Sequence, residues 1–336
     1  MLLPEKLAMG SSIRSRFRVS EHHTSSTRRY TKNPDANEVS SMPLPSPLDL
    51  RVPRNLTATL QLIQRLVGRE DHQRYCSGVI PKDRLPQFLQ KMADRYPQIL
   101  RTTRERSYDR RRRGHAAMHM IVFPSAGITP FESILPLHWL LLSNRGKGGL
   151  ADVDSADFEV SKDAMAAISH IVIGDYVLLY ATKRRPHRLT DRSSGRGRVI
   201  FTDTSTWTWK LRGDVMKELR AQIQECCRTL DFGANALANI PGNGLRGLLA
   251  SQCERPLFAG VRNQIIDLYR YAADTWPPYR NAWLSAHPGT ASNDGSTAGM
   301  LPPVNTFMKC NLPMIPQIRL YGTPARTVRD LLTATT

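Results

Sequence analysis

The spacing of apolar residues along the chain predicts helices on either side of a short run of strands. Leu56, Leu60, Ile63 and Val67 recur every three or four residues, which is the period of a helix with one buried face. The same period predicts a second helix over Leu85–Arg95. Both helices therefore require something apolar to pack against.

Four short apolar segments in the middle of the chain predict strands, because they are rich in β-branched and aromatic residues and end at turn signals. They are His119–Phe123, Leu137–Leu142, Tyr176–Thr182 and Thr206–Leu211. A polar stretch, Lys183–Arg198, is predicted to be a loop between the last two, and a helix is predicted over Lys162–Ile171. The expected fold class is α+β: a small four-stranded sheet with packed helices and helical regions on both sides.

Helical periodicity returns after the last strand. Asp214 is a good N-cap for a helix that stops near Gly233. A further helix over Leu257–Thr275 is expected to end at the Pro-Pro pair that follows it, because proline lacks the backbone N–H that a helix needs. A short closing helix is expected to start at Thr323–Pro324.

These patterns divide the chain into five parts. Residues 1–50 are rich in Ser, Thr, Arg and Pro without any period, which predicts a disordered basic arm. The arm also suits a mitochondrial transit peptide, or an upstream extension ahead of a true start at Met42. The other parts are a helical Arg-rich segment (51–114), an α+β core (115–285), a linker (286–303) and a C-terminal tail with a short helix (304–336).

The charge of the chain indicates its partner. Its 47 Lys and Arg against 29 Asp and Glu give a formal net charge of +18, which attracts polyanions. Sixteen of the basic residues and six of the acidic ones lie between Arg51 and Met120, so this part alone carries +10. The expected partner is nucleic acid, with DNA favoured over RNA.

Several other classes of protein do not fit the sequence. No stretch approaches the roughly 20 apolar residues that span a bilayer, and the opening of the chain lacks the apolar run of a secretory signal. The 5 cysteines form no CxxC pair and no zinc-finger spacing, which fits free thiols in a reducing compartment. We therefore expect a cytoplasmic protein with no membrane partner, no metal site and no cofactor. The oligomeric state is left open.

Two basic segments supply the candidate nucleic-acid contacts. Residues 101–114, RTTRERSYDRRRRG, hold seven arginines, whose guanidinium groups bind phosphate in pairs of hydrogen bonds; a solvated flexible loop is the alternative. A second basic patch lies in the predicted loop, and the two tryptophans after it share a sheet face, either as a stacking platform for bases or as core. The candidates are Arg101, Arg104, Arg106, Arg110, Arg111, Arg112, Arg113, Lys183, Arg184, Arg185, Trp207 and Trp209.

A metal-dependent enzyme that nicks DNA or initiates replication is the alternative, with His115, His119, Tyr176 and Tyr180 as candidate catalytic residues. Relaxases and rolling-circle initiators use a His-hydrophobic-His metal site with a catalytic tyrosine, and such an enzyme would need Mg²⁺ or Mn²⁺. The spacing here is H-x-x-x-H, and residues four apart on a strand lie roughly 13 Å apart, too far to share one metal. An RNA-binding protein that uses the sheet and its aromatics is a third possibility.

Five segments resemble uncharacterised proteins of bacterial plasmids and integrating elements. They are HMIVFP, HWLLLSNRGKGGL, GDYVLLYATKR, TWTWKLR and RPLFAGVRNQI, over about residues 119–266. The resemblance implies a role in the replication, mobilisation or maintenance of such an element and argues against a mitochondrial transit peptide. It assigns no individual functional residue.

Overall fold

The computed structural model describes residues 45–124, 136–152, 160–190, 197–230, 244–286, 312–313 and 315–333, and for 183–190 and 197–202 it describes the backbone. Nearly all of the arm predicted over 1–50 and of the linker predicted over 286–303 lies outside these ranges. The elements within them are α1 (Leu56–Arg69), β1 (Arg74–Ile80), α2 (Leu85–Arg95), α3 (Thr103–Arg113), β2 (Met118–Pro124), β3 (Leu137–Ser143), β4 (Lys162–Asp163), β5 (Ile171–Ile173), β6 (Tyr176–Thr190), β7 (Gly197–Leu211), α4 (Gly213–Arg228), α5 (Leu245–Cys253), α6 (Ala259–Ala286) and α7 (Val328–Thr333).

The strands form two antiparallel sheets. The larger has four strands in the order β2-β3-β1-β4, and Leu140 of β3 pairs with Ser77 of β1 on one side and Ile121 of β2 on the other. The smaller is the meander β5-β6-β7. The predicted α+β class, with a small four-stranded sheet and packed helices, is confirmed.

The membership of the four-stranded sheet differs from the prediction. Of the four predicted strands, those that correspond to β2 and β3 lie in this sheet, whereas those that correspond to β6 and β7 lie in the smaller sheet. The central strand β1 lies within 51–114, so the segment predicted to be helical also contributes to this sheet. The helix predicted over Lys162–Ile171 is wrong: β4 is followed by a turn in which the Asp163 side chain accepts a hydrogen bond from the backbone N–H of Met165.

At β2 and β3, both faces of the four-stranded sheet are buried. Leu140 and Leu142 of β3 pack with α1 and the smaller sheet, in the cluster that contains Leu60. Leu141, on the opposite face, packs in a second cluster with Leu89 of α2. A strand buried on both faces has no polar alternation, which explains why β2 and β3 are continuous apolar runs in the sequence.

The predicted helices α1 and α2 are confirmed, α2 with the predicted bounds. The predicted end of α6 is wrong, because this helix continues through Pro277 and Pro278 to Ala286. Trp276 is fully buried and Trp283 packs against the same core, so burial on both sides of the prolines offsets the lost backbone hydrogen bonds. No helix within the described ranges is both long and apolar enough to cross a membrane.

The C-terminal residues pack against the segment before α1. The backbone N–H of Val52 donates to the carbonyl of Arg326 at 2.9 Å, and that of Arg54 donates to Leu320 at 3.0 Å. The helix predicted from Thr323–Pro324 starts later, at Val328, whose side chain is buried in the cluster beneath α2. The described part of the predicted tail therefore belongs to the folded core.

Candidate nucleic-acid interface

The Arg-rich segment forms the helix α3 and not a loop. A capping box begins it: the N–H of Glu105 donates to Thr102 Oγ1 at 3.3 Å, and the N–H of Thr102 donates to Glu105 Oε2 at 2.7 Å. These hydrogen bonds lower the pKa of the Glu105 carboxyl. The helix ends at Gly114, which adopts a left-handed φ of 67°. Four consecutive arginines in the last turn suit the negative end of the helix dipole.

The inner face of α3 is held by polar contacts. Asp109 is the one buried residue of this helix, with 6% of its surface exposed, and its carboxylate pairs with Arg101 and, at 3.5 Å, with Arg113. Arg106 donates to the carbonyl of Met118 in β2 at 3.1 Å. Arg110 donates to the carbonyl of Glu70 at 3.5 Å. Arginine side chains on the inner face therefore hold α3 against the sheet and the end of α1. This attachment fixes the position of the opposite face of the helix.

The outer face of α3 consists of Arg104, Tyr108, Arg111 and Arg112, which the helical period places on one side. All four are exposed, and Tyr108 has 57% of its surface in solvent. Within the part of the chain that the structure describes, none of these three arginines pairs with an acidic side chain. The outer face is thus a cationic surface around one aromatic ring.

A glycine-rich loop extends this surface at the C-terminal end of α3. The N–H of Lys147 donates to the carbonyl of Gly114, and the N–H of Ala116 donates back to the carbonyl of Lys147, both at 3.0 Å. Gly146 leaves no room for a side chain, because a Cβ there would lie 2.5 Å from the nitrogen of Ala116. The exposed Arg145 and Lys147 therefore lie beside α3. Sequence reasoning treated this segment as a turn and missed both cations.

The second basic patch lies on a two-stranded ribbon, so the loop predicted over Lys183–Arg198 is wrong. The pairing of β6 with β7 continues to Thr190 and Gly197, whereas β5 pairs with β6 only as far as Leu178. We call residues 181–190 and 197–206 the ribbon; ten residues of strand extend roughly 33 Å. Lys183, Arg184 and Arg185 lie on it opposite Thr204, Asp203 and Thr202.

Trp207 and Trp209 lie in the core at the root of the ribbon. The Trp209 indole is fully buried and donates from Nε1 to the carbonyl of Leu60 at 2.9 Å. Trp207 is also buried and packs against Gly68, where an added Cβ would lie 3.3 Å from its ring. Both rings are therefore part of the core, the second of the two interpretations of this pair, and neither presents an open face on which a base could stack. Tyr180 is 49% exposed, and its ring centroid lies 5.3 Å from that of Trp207.

Both basic elements border the C-terminal turn of α1. Arg110 of α3 reaches the carbonyl of Glu70 just after this turn, and the root of the ribbon packs against Gly68 within it. Arg65 and Arg69 of the same turn are exposed. A cleft of about 840 Å³ lies beside this contact and is lined by both the turn and the ribbon root. Its lining includes Gln64, Arg65, Arg69, Tyr180, Thr206 and Trp207.

The candidate catalytic residues are not gathered into one site. His115 forms an isolated β-bridge with Lys147. Within the described ranges, His115 is not part of the group of metal-ligating side chains that contains His119. Tyr176 is buried, and this burial raises the pKa of its hydroxyl, so it is a poor nucleophile. Tyr180 is exposed but lines the cleft beside Trp207.

His119 instead lies with Glu70 and His72 beneath the inner face of α3. One ligand atom from each of the three lies within 4.8 Å of the others, and the two imidazole centroids are 4.9 Å apart. Burial, and after it the positive charge of Arg106, lowers the pKa of both imidazoles: that of His72 to about 4, and that of His119 well below its ordinary value. The sequence did not indicate this cluster, because Glu70 and His72 lie between α1 and β1 whereas His119 lies on β2, and only the fold brings them together.

No protein-family model matches the chain, and comparison with curated proteins and with solved structures gave no match either. The charge, exposure and geometry of α3, of the ribbon and of the cluster of Glu70, His72 and His119 are therefore the features that bear on function.

Proposed function

We propose that this protein binds DNA through the outer face of α3 and the ribbon, in the replication, mobilisation or maintenance of a bacterial plasmid or integrating element. The outer face carries the proposal: three exposed arginines surround a tyrosine, and none of them has an acidic partner among the described residues. The link to a mobile element rests on the resemblance of segments that form β2, β3 and the root of the ribbon.

A contribution to the stability of the fold does not explain why the outer face carries three arginines. Like charges three or four residues apart on a helix repel by roughly 0.2–0.5 kcal/mol a pair. The two acids of α3 are already used, Glu105 in the cap and Asp109 on the inner face. A phosphate backbone would neutralise Arg104, Arg111 and Arg112 with paired, charge-assisted hydrogen bonds.

The two elements have shapes that suit duplex DNA. The major groove of B-DNA admits an α-helix or a two-stranded β-ribbon. The helix α3 and the ribbon both border one turn of α1, and exposed Arg65 and Arg69 lie on that turn. Phosphate contacts from these groups would position the protein on DNA, with base contacts left to the side chains that enter a groove.

A salt titration of affinity tests the proposal. We expect binding of the full chain to labelled duplex DNA to weaken steeply with salt, since each phosphate contact contributes a slope of roughly 0.9 in log Kd against log salt. The triple variant Arg104→Gln, Arg111→Gln, Arg112→Gln should lower that slope by about 2.7 for three lost contacts. A matched variant, Lys217→Gln, Arg220→Gln, Arg246→Gln, removes the same charge from exposed positions on α4 and α5.

Three outcomes would contradict the proposal. Affinity that barely changes between about 50 and 200 mM salt would exclude phosphate binding as the main interaction. Equal losses in the two triple variants would mean that net charge matters and the outer face does not. Tighter binding to RNA than to duplex or single-stranded DNA would replace DNA as the ligand. The same samples with Mg²⁺ or Mn²⁺, checked for strand cleavage, test the enzymatic alternative.

A further inference from the structure

His72 has an unsatisfied buried nitrogen and lies in a cluster with a second imidazole and a carboxylate. Only 1% of the His72 surface is exposed, and its Nε2 has no hydrogen-bond partner. Its Nδ1 lies 3.3 Å from the carbonyl of Leu66, and the Nε2 of His119 lies 3.8 Å from Glu70 Oε2. A buried polar atom without a partner costs roughly 1–3 kcal/mol, so a ligand that accepts its lone pair would be favoured.

We propose that Glu70, His72 and His119 bind one divalent transition metal of the Zn²⁺ class. With its proton on Nδ1, His72 donates to the Leu66 carbonyl and keeps the lone pair of its unpartnered Nε2 available for a metal. Metal-binding histidines characteristically hold their second ring nitrogen in this way, which fixes the tautomer and the ring orientation. The site therefore has its three ligands and also a group that orients one of them, the carbonyl of Leu66.

The ligand types select the metal. Two imidazole nitrogens and one carboxylate suit Zn²⁺ and its neighbours, whereas Mg²⁺ and Ca²⁺ require oxygen ligands. The positive charge of Arg106, which lowers the pKa of both imidazoles, also opposes a cation held only by electrostatic attraction. Coordinate bonds to nitrogen are thus needed in addition to the single charge of Glu70.

The geometry requires only a small contraction. Ligand atoms bound to zinc at roughly 2.0–2.2 Å in a tetrahedron lie about 3.4 Å apart, against the present limit of 4.8 Å. Glu70 is partly exposed, follows the end of α1 and pairs with Arg65 at 3.7 Å, so its side chain would exchange this exposed ion pair for the metal. Three protein ligands leave one tetrahedral position for water, which is the pattern of catalytic zinc sites.

The proposal is independent of DNA binding, and its test contains no nucleic acid. The full chain, prepared without a histidine tag and stripped by a chelator, is titrated with Co²⁺ and then with Zn²⁺. We expect one equivalent of Co²⁺ to give the visible d–d bands of a four-coordinate site, to be displaced by Zn²⁺ and to be unaffected by Mg²⁺. Sulfur-to-cobalt charge transfer should be absent, because a band of that kind would assign the metal to cysteine and overturn the proposal.

Variants assign the ligands. Glu70→Gln is nearly isosteric at a partly exposed position and should keep the fold while weakening Co²⁺ binding by at least about tenfold, and His119→Gln should abolish the bands. His138→Gln, at a partly buried histidine of the neighbouring strand β3 that stacks on Phe123, is the matched control and should bind like the parent chain. Circular dichroism of each metal-free variant checks the fold. Absence of stoichiometric binding, or unchanged affinity in the Glu70 variant, would overturn the proposal.

Discussion

Arginines on the two faces of α3 have different surroundings although they belong to one short segment. Arg106 and Arg113 on the inner face bind a carbonyl of β2 and the carboxylate of Asp109. Arg104 and Arg111 on the outer face have no acidic partner in the described ranges and point to solvent. The number of arginines in a segment therefore does not identify a binding surface; the face of the helix on which each one lies does.

The largest expected effect concerns Asp109, which joins the inner arginines to each other. Asp109→Asn removes the charge that Arg101 and Arg113 share in a buried position, and we expect the free energy of unfolding to fall by about 3 kcal/mol. Urea denaturation followed by circular dichroism measures this as a lower midpoint at constant slope.

Asp267→Asn is the control for that substitution. Its carboxylate also pairs with an arginine, Arg270, at 3.1 Å, but both side chains are exposed. An exposed pair contributes only about 0–1 kcal/mol, so this variant should unfold almost like the parent chain. Similar midpoints for the two variants would show that the buried pairing of Asp109 with Arg101 and Arg113 does not stabilise the fold.

A smaller effect separates the two faces directly. Arg106→Gln removes the hydrogen bond to Met118, and we expect it to lower the free energy of unfolding by about 1.5 kcal/mol while leaving the salt slope of DNA binding unchanged. Arg104→Gln, two residues away, should do the reverse: stability within about 0.5 kcal/mol and a slope lower by roughly 0.9. If both variants changed the same quantity, the distinction between the faces would fail.

Strong hydrophobic periods made part of the fold predictable. The helices α1 and α2 and the strands β2 and β3 follow from apolar spacing, because each buries one helical face or both strand faces. The central strand β1 was missed because its RYCSGVI sequence mixes polar and glycine positions with only two buried residues. The ribbon was missed because its polar residues lack the apolar alternation of a strand with one buried face.

The candidate site was predictable in composition but not in arrangement. The arginines of α3 were recognisable as a charge cluster, yet the sequence did not indicate that Asp109 would tie two of them to the inner face. His119 was singled out through its spacing from His115, whereas the fold pairs it with His72 and Glu70. Contacts of this kind depend on the packing of α1 beside β2, which no local pattern encodes.

The smallest expected effect concerns Tyr108, the aromatic residue of the outer face. If the outer face binds the backbone of duplex DNA, the hydroxyl contributes one hydrogen bond to phosphate, so Tyr108→Phe and Tyr108→Ala should each weaken duplex binding by about threefold, or 0.6 kcal/mol. If the ring stacks on unpaired bases, Tyr108→Ala should cost about 1–3 kcal/mol on single strands, and Tyr108→Phe should cost nothing. Fluorescence anisotropy with both DNA forms distinguishes these patterns. A loss confined to Tyr108→Ala and to single strands would change the ligand from duplex to single-stranded DNA, while the outer arginines would keep their role.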